Sequence, residues 1–204
     1  MSDSLPPSML HSMSTWPPNH FWSWTILIIG IVYLMYTLRV VSTEQKTFHQ
    51  DGKWIQWLNF SLFIPSWWSL KNPLEDTREQ LHFYRADTHY DWSFSAKFFL
   101  DLTPLEAKEK FLGDKQIVID EDAVITSEKT YLLQNDNFLN KVQNFLRIET
   151  TATSKEEDRI YLDAIWIKMS DGLLLEFISK SSVLNGGIEG PYVEEVVKGI
   201  KFRD

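Results

Sequence analysis

The residues of this chain that could do chemistry are few, and the most suggestive are two histidines and an aspartate. His89 and Asp91 are two positions apart, so their side chains share one face if the segment is extended. Together with His82 they could supply imidazole and carboxylate ligands to a divalent metal such as zinc or manganese. The spacing fixes no complete ligand set, and a polar loop between two strands explains the same residues.

Other kinds of chemistry find less support in the sequence. The acidic runs 120–122 and 156–158 are typical of solvated turns, whereas acid–base catalysis needs carboxylates whose pKa values are separated by burial. The chain has no cysteine, which excludes disulfides, thiolate catalysis and cysteine-based zinc sites. The sequence therefore predicts no catalytic residue and no cofactor, and we expect a protein that is not an enzyme.

One apolar segment decides where the protein is expected to reside. The run Phe21–Leu38 has eighteen residues without a charge. As a helix it measures about 27 Å, close to the thickness of a bilayer's hydrocarbon core. We therefore predict one membrane-spanning helix over residues 21–40, with the bilayer as a partner. The residues expected at its two membrane interfaces are Trp16, Trp22, Trp24, Tyr33, Tyr36 and Arg39.

The apolar run has two alternative explanations besides a membrane anchor. A buried core helix of this length would ordinarily carry a charge, and a cleaved signal peptide would have a basic start and a small-residue cleavage site. The first twenty residues contain no Lys or Arg, and no A-x-A pattern follows Leu38. Positive charges follow the span at Arg39, Lys46 and Lys53. This bias favours a soluble domain on the cytoplasmic side of a cell (inner) membrane, and a periplasmic domain stays open.

The remaining chain predicts a simple organisation. Residues 1–20 are expected to be a disordered leader, residues 42–53 a polar linker, and residues 54–204 one soluble α+β domain. The whole net charge of −8 lies after Ser42. An acidic domain argues against nucleic acid and against an anionic membrane surface as binding partners, because both attract clustered Lys and Arg.

Periodicity within the domain predicts strands, then a helix, then more strands and a last helix. Strands are predicted at Leu81–Arg85 and Trp92–Leu100, followed by a helix that Thr103 caps and Gly113 closes. Later, Ile160–Met169 and Leu173–Ser179 form a predicted hairpin around Ser170-Asp171-Gly172. A terminal helix is predicted to open at Pro191 after a glycine loop. This order predicts an antiparallel sheet with helices packed on it.

The segment from Trp54 to Leu70 is unusually aromatic. Alternation over residues 58–64 predicts a strand with one buried face, which ends at Pro65. The four tryptophans of the segment are Trp54, Trp57, Trp67 and Trp68. They are either core residues that cap the sheet or possible contacts for a partner or for lipid headgroups, and the regular alternation favours the core.

Several stretches resemble the closing hairpins of PsbP-like domains. They are Arg147–Ser154, Ile160–Ile167 and Asp171–Phe177, followed by the helical run Tyr192–Phe202. The opening run Phe60–Trp67 is similar to the first strand of that family. The resemblance implies an α/β/α sandwich around an antiparallel sheet and a non-enzymatic role as an accessory, assembly or binding module. Residues 102–144 depart from the family pattern.

The combined hypothesis is a single-pass, membrane-anchored accessory or scaffold protein. Its soluble domain would bind a protein partner at the membrane, or its helix would sit in a larger membrane assembly. The alternatives are a carrier for a small ligand or metal, with an apolar pocket between the terminal helix and the sheet, and an enzyme of unknown chemistry.

Overall fold

The computed structural model describes residues 19–71, 80–85, 92–131, 133, 136–156 and 158–202. The chain divides into two compact units, with the boundary between Lys46 and Thr47. Helix α1 (Asn19–Asp51) provides all described residues of the first unit and the start of the second. The second unit has an α+β architecture, with antiparallel sheets and packed helices, as the sequence predicted.

The described part of the first unit is one continuous helix. Within α1, the stretch Trp22–Val40 is long and apolar enough to cross a membrane, and none of it is buried. The helix continues to Asp51 because neither glycine nor proline occurs between Gly30 and Gly52. Residues 42–51, which the sequence analysis assigned to a polar linker, are therefore helical.

The second unit opens with a small sheet. Strands β1 (Lys53–Trp57) and β2 (Phe60–Ile64) pair as a hairpin, and the C-terminal strand β11 (Lys201–Phe202) pairs with β2. The predicted strand is confirmed for β2, whose buried residues alternate as expected. Its start is corrected, because Leu58 adopts a left-handed φ of 55° and turns the chain back on β1.

Eight further strands form the large antiparallel sheet. They are β3 (Trp68–Leu70), β4 (Gln80–Arg85), β5 (Trp92–Leu100), β6 (Val118–Ile119), β7 (Val124–Thr126), β8 (Val142–Thr153), β9 (Arg159–Met169) and β10 (Leu173–Ser182). The order across the sheet is β3-β4-β5-β10-β9-β8-β6, with β7 also paired to β8. The predicted hairpin between β9 and β10 is confirmed, and Gly172 takes the positive φ of 92° at its turn.

Helix α2 (Pro104–Lys115) begins as its sequence predicts. The Thr103 hydroxyl accepts from the backbone N–H of Glu106, and the Glu106 carboxylate accepts from the backbone N–H of Thr103, which completes a capping box. The predicted end at Gly113 is wrong by two residues. The helix ends where Gln116 adopts a left-handed φ of 50° and its N–H bonds back to the last turn. A short helix α3 (Asp136–Leu139) then leads into β8.

The terminal helix starts earlier than predicted. Helix α4 runs over Val183–Lys198, so the expected glycine loop is helical and Pro191 lies inside the helix. A methyl group on Gly186 would lie 2.2 Å from Cγ of Tyr161, so only a residue without a side chain fits there. The glycine allows the first turns of α4 to lie close against β9.

The two faces of the large sheet have different cover. One face carries the larger core, with Phe83, Phe94 and Phe177 beneath α4 and the small sheet. The other face carries a smaller core around Leu162 and Trp166, which α2 covers over β8 and β9. On this face α2 also reaches the end of β5, where Lys110 lies 5.6 Å from the ring centre of Phe99.

Candidate functional site

Beside α2, the described residues of the second sheet face line a cavity of about 390 Å³. Antiparallel pairing builds its floor, because Ser95 on β5 lies opposite Ile178 on β10, and Lys97 lies opposite Glu176. The next pair, Ser93 and Lys180, continues the same face. On the other side the cavity is bounded by α2 and the segment after it, through Phe111, Lys115 and Ile117.

Four lysines line this cavity, namely Lys97, Lys115, Lys155 and Lys180. None of them makes an ion pair or a side-chain hydrogen bond with another residue that the structure describes. The cavity also has the acidic residues Asp114, Glu156 and Glu176. The balance of charge is therefore slightly positive at this place, in a chain whose net charge is −8.

Glu176 is the deepest acidic group of the cavity and is already engaged. Its carboxylate accepts a 2.8 Å hydrogen bond from Nε1 of Trp166. Burial raises the pKa of Glu176, against the opposing effects of that bond and of Lys97, Lys110 and Lys115. Of the cavity lysines, Lys97 and Lys115 therefore act on the charge of this carboxylate.

The opposite face of the sheet holds a buried ionic cluster beneath α4. Arg147 on β8 donates to both carboxylate oxygens of Asp163 on β9, at 3.0 and 2.9 Å. It also lies 3.3 Å from Glu194 of α4 and 3.2 Å from Glu149, which accepts a hydrogen bond from Tyr161. Burial raises the pKa of Asp163 to about 6, although Arg147 opposes this. At pH 7 both Arg147 and Asp163 are charged, and the cluster links strands β8 and β9 to helix α4.

A second arginine fastens α4 to the sheet at the other side. Glu189 of α4 is fully buried and accepts hydrogen bonds from Arg85 on β4, at 2.5 Å, and from Nε1 of Trp68, at 3.2 Å. Because β4 and β8 are separated by three strands, the two acid–arginine pairs hold α4 across the width of the sheet. Each of these buried acids is paired with an arginine. A catalytic pair instead needs two titratable groups whose environments push their pKa values apart.

The outer side of α4 exposes an apolar stripe. Leu184 is 88% exposed, Ile188 is 50% exposed, and Val183 is also exposed. Leu184 and Ile188 are one helical turn apart, with Gly187 beside them and no described atom within 4 Å of the position of its missing side chain. The stripe is the surface of α4 that a partner could cover.

The metal candidates are only partly within the described residues. His82 lies on β4, half-buried at the edge of the cavity, opposite Ser95. His89 and Asp91 lie outside the described residues. Among the described residues no group of three His, Asp or Glu side chains is placed to hold a metal ion.

The four tryptophans of the segment from Trp54 to Leu70 differ in how deeply they are buried. Trp57 and Trp68 are buried in the larger core, which removes them from any exposed contact surface. Trp67 is half-buried, with Arg85 over its ring at 5.6 Å. Trp54 is 50% exposed, and the amine of Lys201 lies 4.6 Å from its ring centre.

The residues predicted at the membrane interfaces lie along α1. The side chains of Trp22, Trp24, Tyr33, Tyr36 and Arg39 are exposed on this helix. Trp16 lies outside the described residues.

Sequence reasoning missed the lysines of the cavity. The alternation of Ser93, Ser95 and Lys97 with apolar neighbours did show a polar face on β5. What it could not show is that β10, about eighty residues later in the chain, pairs with β5 and adds Lys180 to that face.

Comparisons with known proteins were made for the whole chain. No family model and no curated protein matches it. Among solved structures, the solution structure of cyanobacterial PsbP (CyanoP) from Synechocystis sp. PCC 6803 is similar. Its sequence is 11% identical, the match covers 74% of this chain and 92% of that chain, and the TM-score is 0.48.

The Asp163→Asn variant tests the buried cluster. The variant keeps the shape of the side chain but leaves Arg147 without its buried counter-charge, so we expect the free energy of unfolding at pH 7 to fall by about 3 kcal/mol. The matched control is Asp120→Asn. Asp120 also binds an arginine through two oxygens, at 2.8 and 2.6 Å from Arg159, but that pair is exposed and should matter little. Urea unfolding followed by tryptophan fluorescence measures both, and equal losses would contradict a structural role of the buried pair.

Proposed function

We propose that the protein is a single-pass, membrane-anchored accessory protein, whose soluble domain is a non-enzymatic binding module. The apolar stretch Trp22–Val40 of α1 spans the membrane and holds the domain at its surface. The domain presents α4 to a membrane-associated protein partner. The arrangement works by tethering, which raises the local concentration of a partner in the same membrane.

The observation that carries this proposal is the exposure of α1. Nineteen residues from Trp22 to Val40 are apolar enough for a bilayer, and no part of the described structure buries them. Leaving one large aliphatic side chain in water rather than burying it costs about 1.5–3 kcal/mol. Ile26, Ile29 and Leu34 are among the exposed side chains. An environment of lipid, or of other membrane helices, removes this cost.

The junction with the domain supports retention of the helix as an anchor. Phe48, in the last turns of α1, is buried in the core of the second unit, with its ring 5.2 Å from Phe63 and 5.8 Å from Tyr192. Only seven residues separate Val40 from Phe48, so the tether is short. The domain is therefore proposed to stay close to the membrane, where the exposed Trp54 could contact headgroups.

The stripe of Val183, Leu184 and Ile188 on α4 supports a protein partner. Exposed apolar side chains at helical spacing are typical of a surface that packs into an apolar groove. Glu189 and Glu194 fix the opposite side of α4 to the sheet. Because the helix is already held in place, binding a partner does not have to include the entropic cost of ordering it. The proposed occupant is an apolar surface of a protein in the same membrane.

The side of the membrane is part of the proposal. Positive residues follow the span at Arg39, Lys46 and Lys53, whereas the first twenty residues contain none. We propose a cytoplasmic domain on this basis.

Charged substitutions in the span test the anchor. Each lysine near the centre of a spanning helix costs about 3 kcal/mol for membrane insertion, so Ile28→Lys with Val32→Lys should move the protein from the membrane pellet to the supernatant after an alkaline carbonate wash. The control Ile28→Leu with Val32→Leu should stay in the pellet. Wild-type protein in the supernatant, or a mature chain whose intact mass lacks the apolar stretch, would overturn the anchor.

Photo-crosslinking tests the partner surface. A benzoyl-phenylalanine at position 184 should give discrete adducts in native membranes, and the same group at position 195, on an exposed part of α4 beyond the stripe, should not. The Ile188→Asp substitution in the same chain should abolish the adducts while the thermal unfolding midpoint stays unchanged. Adducts of equal yield at both positions, or adducts insensitive to Ile188→Asp, would contradict binding through the stripe.

A further inference from the structure

We propose that the cavity between β5, β10 and α2 binds a small organic phosphate. This site goes beyond the anchor and the α4 stripe, and lies on the opposite face of the large sheet. Its floor and walls combine lysine side chains, serine hydroxyls and apolar side chains in a volume of about 390 Å³. That volume is within the usual range for small-molecule sites, about 300–1,000 Å³.

The four lysines of the cavity outnumber its three described acidic residues, Asp114, Glu156 and Glu176, by one. Lys97 is half-buried, and Lys115, Lys155 and Lys180 are exposed side chains that line the same cavity. None of the four pairs with a described acid within 4 Å. A cavity lined by several ammonium groups favours a ligand with more than one negative charge, and a phosphate monoester near pH 7 has that charge.

The hydroxyl groups of the floor point to the same chemistry. Ser93 and Ser95 stand on one face of β5, and Ser154 follows β8 at the rim. No side-chain hydrogen bond joins these three hydroxyls to another described residue. Hydroxyl donors beside lysines match the several acceptor oxygens of a phosphate better than the two of a carboxylate.

One wall of the cavity is apolar. Phe111 and Ile117 come from α2 and the residue after its cap, and Ile178 comes from β10. Such a wall offers contact to a carbon skeleton and nothing to inorganic phosphate. The ligand is therefore an organic phosphate, and a soluble metabolite-like phosphate and the headgroup of phosphatidic acid share this chemistry.

The test uses the full chain in nanodiscs of phosphatidylcholine, with amide chemical shifts as the readout. Phenyl phosphate should shift the amide signals of Ser95, Lys97 and Lys180 with saturation in the millimolar range, and inorganic phosphate should bind more weakly. The double variant Lys97→Gln with Lys180→Gln should weaken binding about tenfold or more. The control Lys53→Gln with Lys71→Gln removes the same charge from exposed positions outside the cavity and should bind as wild type does.

Further arms separate the sources of the ligand and protect the test against misfolding. Nanodiscs that contain phosphatidic acid should produce the same shifts without added ligand if the source is a lipid, and no shifts if it is a soluble compound. The double variant Lys97→Arg with Lys180→Arg keeps both charges and should bind phenyl phosphate as the wild type does.

The proposal is overturned if phenyl phosphate leaves these amides unchanged, or if the cavity and control variants bind it equally. Because binding is read in neutral discs, either result leaves the membrane anchor and the α4 stripe to their own tests.

Discussion

The close approach of α4 to Tyr161 is the contact on which the rest of the domain depends. Gly186 lets the helix backbone reach the tyrosine ring on β9, where any side chain would collide with it. This approach fixes which residues of α4 face the sheet, so that Glu189 meets Arg85 and Glu194 meets Arg147. The helix is thereby set across the sheet in one orientation, and the larger core closes beneath it.

The surfaces that could carry function follow from that arrangement. Since α4 covers one face of the sheet, its outer side must expose Leu184 and Ile188, and the second face is left to α2 alone among the described helices. The twelve-residue helix α2 packs mainly on β8 and β9, and Ser93, Ser95 and Lys97 make the rest of the β5 face polar. The proposed anchor places these two surfaces, the stripe and the lysine-lined cavity, at a membrane.

The parts of the fold that were predictable are those set by neighbouring residues. The capping box at Thr103, the turn at Gly172 and the alternation in β5 are local, and the structure confirms all three. The start of α4 was missed because glycine was interpreted as flexible, whereas Gly186 serves a contact with a residue twenty-five positions away. The cavity was missed for a related reason, because only strand pairing brings β10, which carries Lys180, beside β5, which carries Lys97.

The most direct measurement of this account compares alanine at two adjacent glycines of α4. Gly186→Ala should lower the free energy of unfolding by about 2 kcal/mol, because the methyl group overlaps the Tyr161 ring. Gly187→Ala meets no described atom within 4 Å and should raise that free energy by up to about 1 kcal/mol, through helix propensity alone. Opposite signs in urea unfolding of the full chain support the docked helix. Stabilisation by both substitutions would contradict it, and with it the surfaces that the helix defines.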